Sequence, residues 1–539
     1  MKVSLGKAII PLFILGFLTA IGSSASAQDS YDIVIAGGRI VDGTGGPWYY
    51  GDVGIQNGRI VRIGDLKEVR AAKRIEAKGL VVSPGFIDIH THTDEDIEKL
   101  PLARNYMQQG VTSIIGGNCG DSIYPIGEKL AGLERLGLGI NFGLLVGQAT
   151  IRKQVMAMAD RAPTSDELGR MKSLLAKAME EGAVGLSTGL YYAPGSFCKT
   201  EEIIELARVT AQYGGIYTSH IRDESDYSIG LVAAVKEAIE IGEKGKIPVQ
   251  ISHLKALGKP VWGKSVEILD LIRQARTRGV DVTFDQYPYV ASATSLVGAT
   301  VPRWAQAGGK EKMEERFRDP SARERLRKDM LTSIDKRGGP EKLFIARFTP
   351  DPSLEGKHLA AIGKIKSKEP VDAAMDLILA GGLDVSVVSF NMLDEDLTRI
   401  MLSPHGLVAS DGSLAELGKG VPHPRYYGTF PRVLGKYVRE EAILPLEEAV
   451  RKMTSAPANR LGLVDRGLIK EGMLADITLF NALTVKDKST FDNPHQYPEG
   501  IDFVIVNGQV AVAKGEWTGL KAGKVLYRQK SFTSARTMP

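Results

Sequence analysis

His90-Thr91-His92 sets two imidazoles two residues apart, directly after the apolar run Phe86-Ile87-Asp88-Ile89 and a Pro84-Gly85 turn. Side chains two apart on an extended segment point to the same side, so both rings would face one point. Neutral imidazole is a good zinc ligand, and a divalent cation offsets the burial of two such rings. Three more polar residues end other apolar runs. His220 follows Gly215-Ile216-Tyr217-Thr218-Ser219, His253 follows Val249-Gln250-Ile251-Ser252, and Asp411 follows Leu407-Val408-Ala409-Ser410. Either histidine alone reads as a hydrogen-bonded core residue. Together with the His-x-His and the aspartate they have the composition of a two-metal hydrolytic centre. Asp411 then has two roles, as a ligand and as the acceptor of a proton from water.

Cys119, in Ile115-Gly116-Gly117-Asn118-Cys119-Gly120, is a further candidate ligand. A metal deprotonates a coordinating thiol outright, and a thiolate can bridge two cations. The only other cysteine is Cys198, so a Cys119–Cys198 disulfide competes with metal binding on this local reading, with plain burial as a third choice. Arg425 and Lys255 offer cations to a substrate carboxylate, Arg425 in the bidentate geometry of a guanidinium. For both residues the alternative is a structural ion pair. His423 and His495 read as turn residues.

These groups need a scaffold that brings strand ends together. Apolar, β-branched runs at 111–115, 139–146, 184–187, 215–219, 248–252, 280–284 and 407–409 alternate with amphipathic stretches such as 166–181 and 200–213. Such alternation predicts a parallel sheet, and about eight βα units over roughly 250 or more residues suit a (β/α)8 barrel, whose active sites lie at the C-terminal strand ends. The barrel is expected over 83–465, with a charged helical insertion near 305–342. The two ends differ in texture: short β-branched runs separated by glycine turns, with Asn57-Gly58 and Asn507-Gly508 as hairpin signals. They predict a β-sandwich composed of 28–82 and 466–539. Residues 1–27 read as a signal peptide, with Lys2 and Lys7, an apolar run at 8–22 and Ala25-Ser26-Ala27 before the cut. That implies a periplasmic or secreted protein without stable membrane insertion. Its 68 basic and 64 acidic side chains give no reason to expect a nucleic-acid partner.

The chain resembles the N-acyl-D-amino-acid deacylase (D-aminoacylase) family of the amidohydrolase superfamily. The matching stretches span nearly the whole sequence after residue 27. They include Pro84 to Asp94, Gly116 to Gly120, Gly182 to Gly195, His220-Ile221-Arg222-Asp223-Glu224, Ser252 to Lys255, Ser410-Asp411-Gly412, His423 to Arg432 and Pro494 to Pro498. The resemblance implies a zinc centre bridged by cysteine, which favours metal ligation by Cys119. It implies a tight site from Cys119, His220 and His253, and a second from His90, His92 and Asp411. It places the substrate carboxylate at Tyr192, Lys255 and Arg425. Where family members often carry Gly-His after the third strand, this chain has Gly147-Gln148.

The activity so implied is hydrolysis of the amide of N-acyl-D-amino acids by metal-activated water, with Asp411 passing the proton to the departing amine. Two other readings remain open at this point. One is a different amidohydrolase reaction, such as D-residue dipeptide or cyclic amide hydrolysis. The other is a non-catalytic ligand-binding protein on the same scaffold.

Overall fold

A computed structural model describes residues 1–2 and 30–528; the expected signal peptide lies outside the described residues, apart from its first two. Eight parallel strands form the barrel: Phe86–Asp88, Val111–Gly116, a bent third strand made of Asn141–Leu144 and Val146–Gly147, then Gly185–Gly189, Ile216–His220, Val249–Ile251, Val282–Gln286 and Gly406–Val408. Nearly every residue of these strands is buried, because helices cover the outside while side chains fill the inside. Their runs therefore mix apolar, glycine and small polar residues and lack the solvent-facing charged positions of a half-exposed sheet.

The intervening helices follow their sequence signals. Ser165–Glu180 starts at a capping box, in which Thr164 accepts from the Glu167 N–H and the Glu167 carboxylate accepts from the Thr164 N–H. Its buried residues, Met171, Leu175, Ala178 and Met179, share one face.

The barrel closes by bonds beyond the short eighth strand. The Asp411 N–H donates to the His90 carbonyl at 2.9 Å, and the His92 N–H to the Gly412 carbonyl at 2.7 Å. The buried Asp88 carboxylate accepts the Ser410 N–H at 3.1 Å. The seam between the last and first strands thus carries three of the candidate ligands.

The structure extends two expectations. The helical insertion is part of a larger unit. Helices Lys310–Arg318 and Pro320–Lys336 are present, but they pack with Leu359–Ile365 and Pro370–Gly381 against an antiparallel sheet of Ser292–Ser295, Leu343–Arg347 and Ser386–Ser389. This unit, 292–389, has its own core, including Phe317, Leu326, Met330, Ile345, Met375 and Val387. The strands carry little local signal because they are four or five residues long and lie far apart in sequence.

The C-terminal segment also does more than complete the sandwich. Strands from both chain ends do share one nine-stranded sheet, in which Ile477–Phe480 pairs with Val81–Pro84, and Ile33, Val53, Ile60, Ile477 and Ile505 share one core. Val525–Leu526, however, pairs in parallel with the third barrel strand, and His495 bonds Tyr427 of the barrel at 3.0 Å.

A buried polar junction ties these parts together. Asp476 accepts from Arg466 at 2.5 Å, from the Asn141 amide at 3.1 Å and from the Asn507 N–H at 2.7 Å. Removing a buried ion's partner leaves an uncompensated charge. Asp476→Ala should therefore destabilise the protein by about 3–5 kcal/mol, read as a lower denaturant midpoint. An unchanged midpoint would show that the junction contributes little.

Candidate metal centre at the barrel mouth

All six candidate ligands converge at the C-terminal strand ends. His90 and His92 follow the first strand, Cys119 the second, His220 ends the fifth, and His253 and Asp411 follow the sixth and eighth. Cys119, His253 and Asp411 have positive φ, at 55°, 35° and 49°. For residues other than glycine this backbone is uncommon, and it clusters where a functional geometry overrides local preference. Here it turns each chain sharply off its strand and aims the side chain across the mouth.

The Cys119 sulfur is the hub. It lies 3.4 Å from His90 Nε2, 3.7 Å from His220 Nδ1 and 3.7 Å from His253 Nε2. Asp411 Oδ1 lies 3.4 Å from His90 Nε2 and 3.0 Å from His92 Nε2. Three overlapping donor triads result: His90–His92–Cys119, Cys119–His220–His253 and His90–His253–Asp411, each with donor atoms within 4.8 Å of one another. Soft sulfur, imidazole nitrogen and one carboxylate are the donors that zinc takes. The set fits that metal.

Charge in the cluster is arranged accordingly. Burial disfavours a thiolate at Cys119, yet the His90 charge and hydrogen bonds from His220, His253 and His90 hold its pKa well below the usual thiol value. Burial likewise opposes ionisation of Asp411, but Arg425, His253 and His90 hold its pKa well below the ordinary carboxylate value. Both are thus anionic donors. Cys198 behaves oppositely: burial pushes its thiol up to about 12, and its Sγ–H donates to the Gly195 carbonyl at 2.7 Å. Both cysteines are free, which removes the disulfide alternative.

Two carboxylates orient the imidazoles, and sequence reasoning assigned neither. Asp285 Oδ1 sits 3.0 Å from His90 Nδ1 and accepts the His253 N–H at 2.8 Å, while Gln250 donates to its other oxygen at 2.9 Å. Glu224 Oε1 sits 3.0 Å from His253 Nδ1 and 2.5 Å from Lys255 Nζ. A carboxylate behind a ligating imidazole fixes its tautomer and orientation. Glu224 stands four residues after His220, and Asp285 lies on a strand next to that of His253; strand-end position was the available signal for Asp285.

The expected carboxylate-binding residues line one cavity of about 1140 Å³ with the ligands. Arg425 Nη1 lies 2.8 Å from Asp411 Oδ2, and its Nε is buried without a hydrogen-bond acceptor. Ser292 Oγ, on the same cavity wall, is also buried without a partner. Tyr192 packs its ring 4.7 Å from that of His220, with its hydroxyl 2.9 Å from Thr294 Oγ1. Lys255 is in the structural ion pair, held by Glu224. Gln148 donates to Glu202 at 2.9 Å, beside the buried Arg152–Glu202 pair, and is not among the cavity-lining residues. His423 accepts the Arg425 N–H at 3.1 Å and sits 3.0 Å from the Ala291 carbonyl, a turn-fixing role.

The model of the Amidohydrolase family matches residues 399–512, which include Asp411 and Arg425. A D-aminoacylase from Alcaligenes xylosoxydans xylosoxydans is 35% identical, with 94% of this chain and 99% of that protein covered. An N-acyl-D-glutamate deacylase from the same organism is 37% identical over 94% of this chain and 99% of its own length. Among solved structures, the Bordetella bronchiseptica N-acyl-D-glutamate deacylase, complexed with zinc and a phosphonate inhibitor mimicking the tetrahedral intermediate, superposes with a TM-score of 0.80. That pair is 34% identical, and 93% of this chain and all of the other are covered. With identity at this level over nearly the full length of both chains, and a donor cluster of one thiolate, four imidazoles and one carboxylate, the chain belongs to the D-aminoacylase family of amidohydrolases.

Proposed function

We propose that this protein is an exported zinc-dependent deacylase that hydrolyses N-acyl-D-amino acids to a carboxylate and a free D-amino acid. One observation carries the reading. The anionic and imidazole donors share a cavity with buried, unspent hydrogen-bond donors, Arg425 Nε and Ser292 Oγ, which suit a carboxylate. A substrate held there would present its amide toward the metal centre.

In this reading Cys119, His220 and His253 would hold the tightly bound zinc, and His90, His92 and Asp411 would form the second site. Bound zinc supplies a Lewis acid and lowers the pKa of water to about 7. The remaining chemistry belongs to the side chains. Asp411, anionic beside Arg425, receives the proton from the attacking water on a carboxylate oxygen and returns it to the leaving nitrogen, so that the amine departs neutral. Asp285 and Glu224 keep the His90 and His253 rings in place. Tyr192 and Lys255 flank the carboxylate subsite built around Arg425, Lys255 through the positive charge it adds beside Glu224.

Export rests on the N-terminal sequence: two lysines, the apolar run at 8–22 and Ala25-Ser26-Ala27. Among the described residues, no helix is long and apolar enough to cross a membrane. The secreted or periplasmic form should begin at Gln28, and N-terminal sequencing of fractionated material checks this; an intact Met1 in the cytoplasmic fraction would refute it.

Purified protein should hold tightly bound zinc, and Cys119→Ala and His220→Ala should each lose it in elemental analysis; full metal in both variants would defeat the ligand assignment. Asp411→Asn should lower kcat by about 10²-fold or more, the scale of a lost general base. Arg425→Ala should shrink the preference for N-acetyl-D-amino acids over the matching carboxamides that lack the α-carboxylate. Because Arg425 also touches Asp411, that ratio rather than KM alone is the discriminating readout. If the ratio is unchanged, the carboxylate subsite lies elsewhere.

A further inference from the structure

Two arginines of one helix cover two tyrosines of one turn. The helix Arg425–Arg432 carries Arg425 at its first position and Arg432 at its last. Seven residues make two helical turns, so the two side chains share a face, about 10 Å apart. The facing segment, Tyr287-Pro288-Tyr289, follows the seventh barrel strand, and its tyrosines are 1% and 3% exposed. The Arg425 guanidinium carbon lies 4.8 Å from the centre of the Tyr287 ring, and that of Arg432 lies 4.7 Å from the centre of the Tyr289 ring. Each arginine also faces one aspartate, Asp411 at 2.8 Å for Arg425 and Asp487 at 2.9 Å for Arg432. The inner stack, Arg425 on Tyr287, is part of the cavity wall. The outer stack lies behind it.

The carbonyl between the two tyrosines joins the stacks. Arg432 Nε donates to the Pro288 carbonyl at 2.8 Å, and Tyr437 Oη donates to the same oxygen at 3.4 Å. Tyr437 belongs to the π-helical stretch Val433–Glu440, whose wider winding turns it to the side of Arg432. The peptide plane of that carbonyl also holds the Tyr289 N–H, which donates to the Tyr287 carbonyl at 3.0 Å. Fixing the plane therefore fixes Tyr287, whose ring also lies 5.7 Å from Lys255 Nζ. The contact has no slack. A Cβ on Gly428, between the two arginines, would come within 2.6 Å of Tyr289 Oη and 2.8 Å of Asp487 Cβ. Asp487 itself comes from outside the barrel, on the excursion between the sheet strands Ile477–Phe480 and Ile501–Val506.

We infer that Arg432, tied to Asp487, is a positioning residue for the substrate carboxylate. It sets the Tyr287 ring against Arg425, so that the Arg425 guanidinium keeps the angle at which its unspent Nε meets the substrate. The inference rests on the carboxylate subsite of the deacylase reading and adds what holds that subsite from behind. It makes the C-terminal segment, which supplies none of the candidate ligands, a part of substrate recognition. A pair that only braced this segment against the barrel would affect every substrate alike. A positioning pair acts on the α-carboxylate.

The test separates that carboxylate from the rest of the substrate. Zinc-loaded full-length protein is assayed on N-acetyl-D-leucine and N-acetyl-D-glutamate beside their α-carboxamides. Arg432→Met should raise KM for the better carboxylate substrate by about 3- to 10-fold, the scale of one hydrogen bond. Its kcat, its zinc content and its rate on the carboxamide should stay at the wild-type level. Asp487→Asn, which keeps the shape and loses the charge, should shift KM in the same direction, and adding it to Arg432→Met should change nothing further. Arg432→Lys should recover part of the loss. Equal losses on carboxylate and carboxamide in both single variants would overturn the inference, as would an unchanged KM in both. Should Arg432→Met not fold, Asp487→Asn decides by the same criteria. Calorimetry separates this from the function itself, using N-methanesulfonyl-D-leucine and N-methanesulfonyl-D-glutamate, whose sulfonamides are not cleaved, beside their α-carboxamides. A carboxylate preference of the wild type that shrinks in the variants supports the inference even without turnover, in which case the deacylase reading alone fails. A preference that persists in both variants, or none in the wild type, overturns it.

Discussion

A sulfur buried against three imidazole nitrogens at 3.4–3.7 Å can remain a thiolate only where positive charge stands beside it. Much of the barrel mouth serves that condition. Cys119 sits on a left-handed turn directly after its strand, where Gly120 presses so closely on the chain at Gly189 that a Cβ would come within 2.6 Å of a backbone nitrogen. His253 and Asp411 adopt the same unfavourable backbone region. Such turns persist because the surrounding hydrogen bonds over-determine them. The Asp411 N–H, for example, is held by the His90 carbonyl, so closing the barrel and placing the ligand are one event.

Around the centre, charges alternate outward. Donors at the middle are backed by the Asp285 and Glu224 carboxylates, and Glu224 is in turn balanced by Lys255. Burial raises the cost of every one of these charges, yet the neighbours that the fold supplies keep the Glu224 carboxyl far below its ordinary range. The same low-dielectric surroundings make each oriented group count for more at a reacting amide. Arg425 belongs to this scheme twice over, compensating Asp411 through Nη1 while its buried Nε has no acceptor.

The 292–389 unit is built differently from the barrel. Its core is separate, its sheet is antiparallel, and it contributes Ser292, Thr294 and Arg337 to the cavity wall without supplying any of the six candidate metal ligands. Changes in such a unit can alter what the cavity admits while leaving the strand ends untouched, which is how a barrel supports many specificities by varying what surrounds its mouth.

The barrel strands and the candidate donors that converge at its mouth were legible in the amino-acid order, because both signals are local. An apolar run ending in His or Asp is visible in five residues, and a side chain just past a barrel strand has few directions to take. The Cys119 choice between metal and disulfide was open locally; in the fold both cysteines are free and Cys119 stands beside three imidazoles, which excludes the disulfide. Folding was needed to reveal Asp285 and Glu224 as supports, Lys255 as an ion-pair partner and the three short strands of the insertion, since each depends on a neighbour tens of residues away or more. Arg337 belongs with them. A lone arginine in a run of charged helix residues looks like solvated surface, and only packing shows that Arg337 is buried against the Ala299 carbonyl, Ser389 and Tyr191. Composition and spacing record which charges a chain carries; which of them lack a partner is a property of the folded volume.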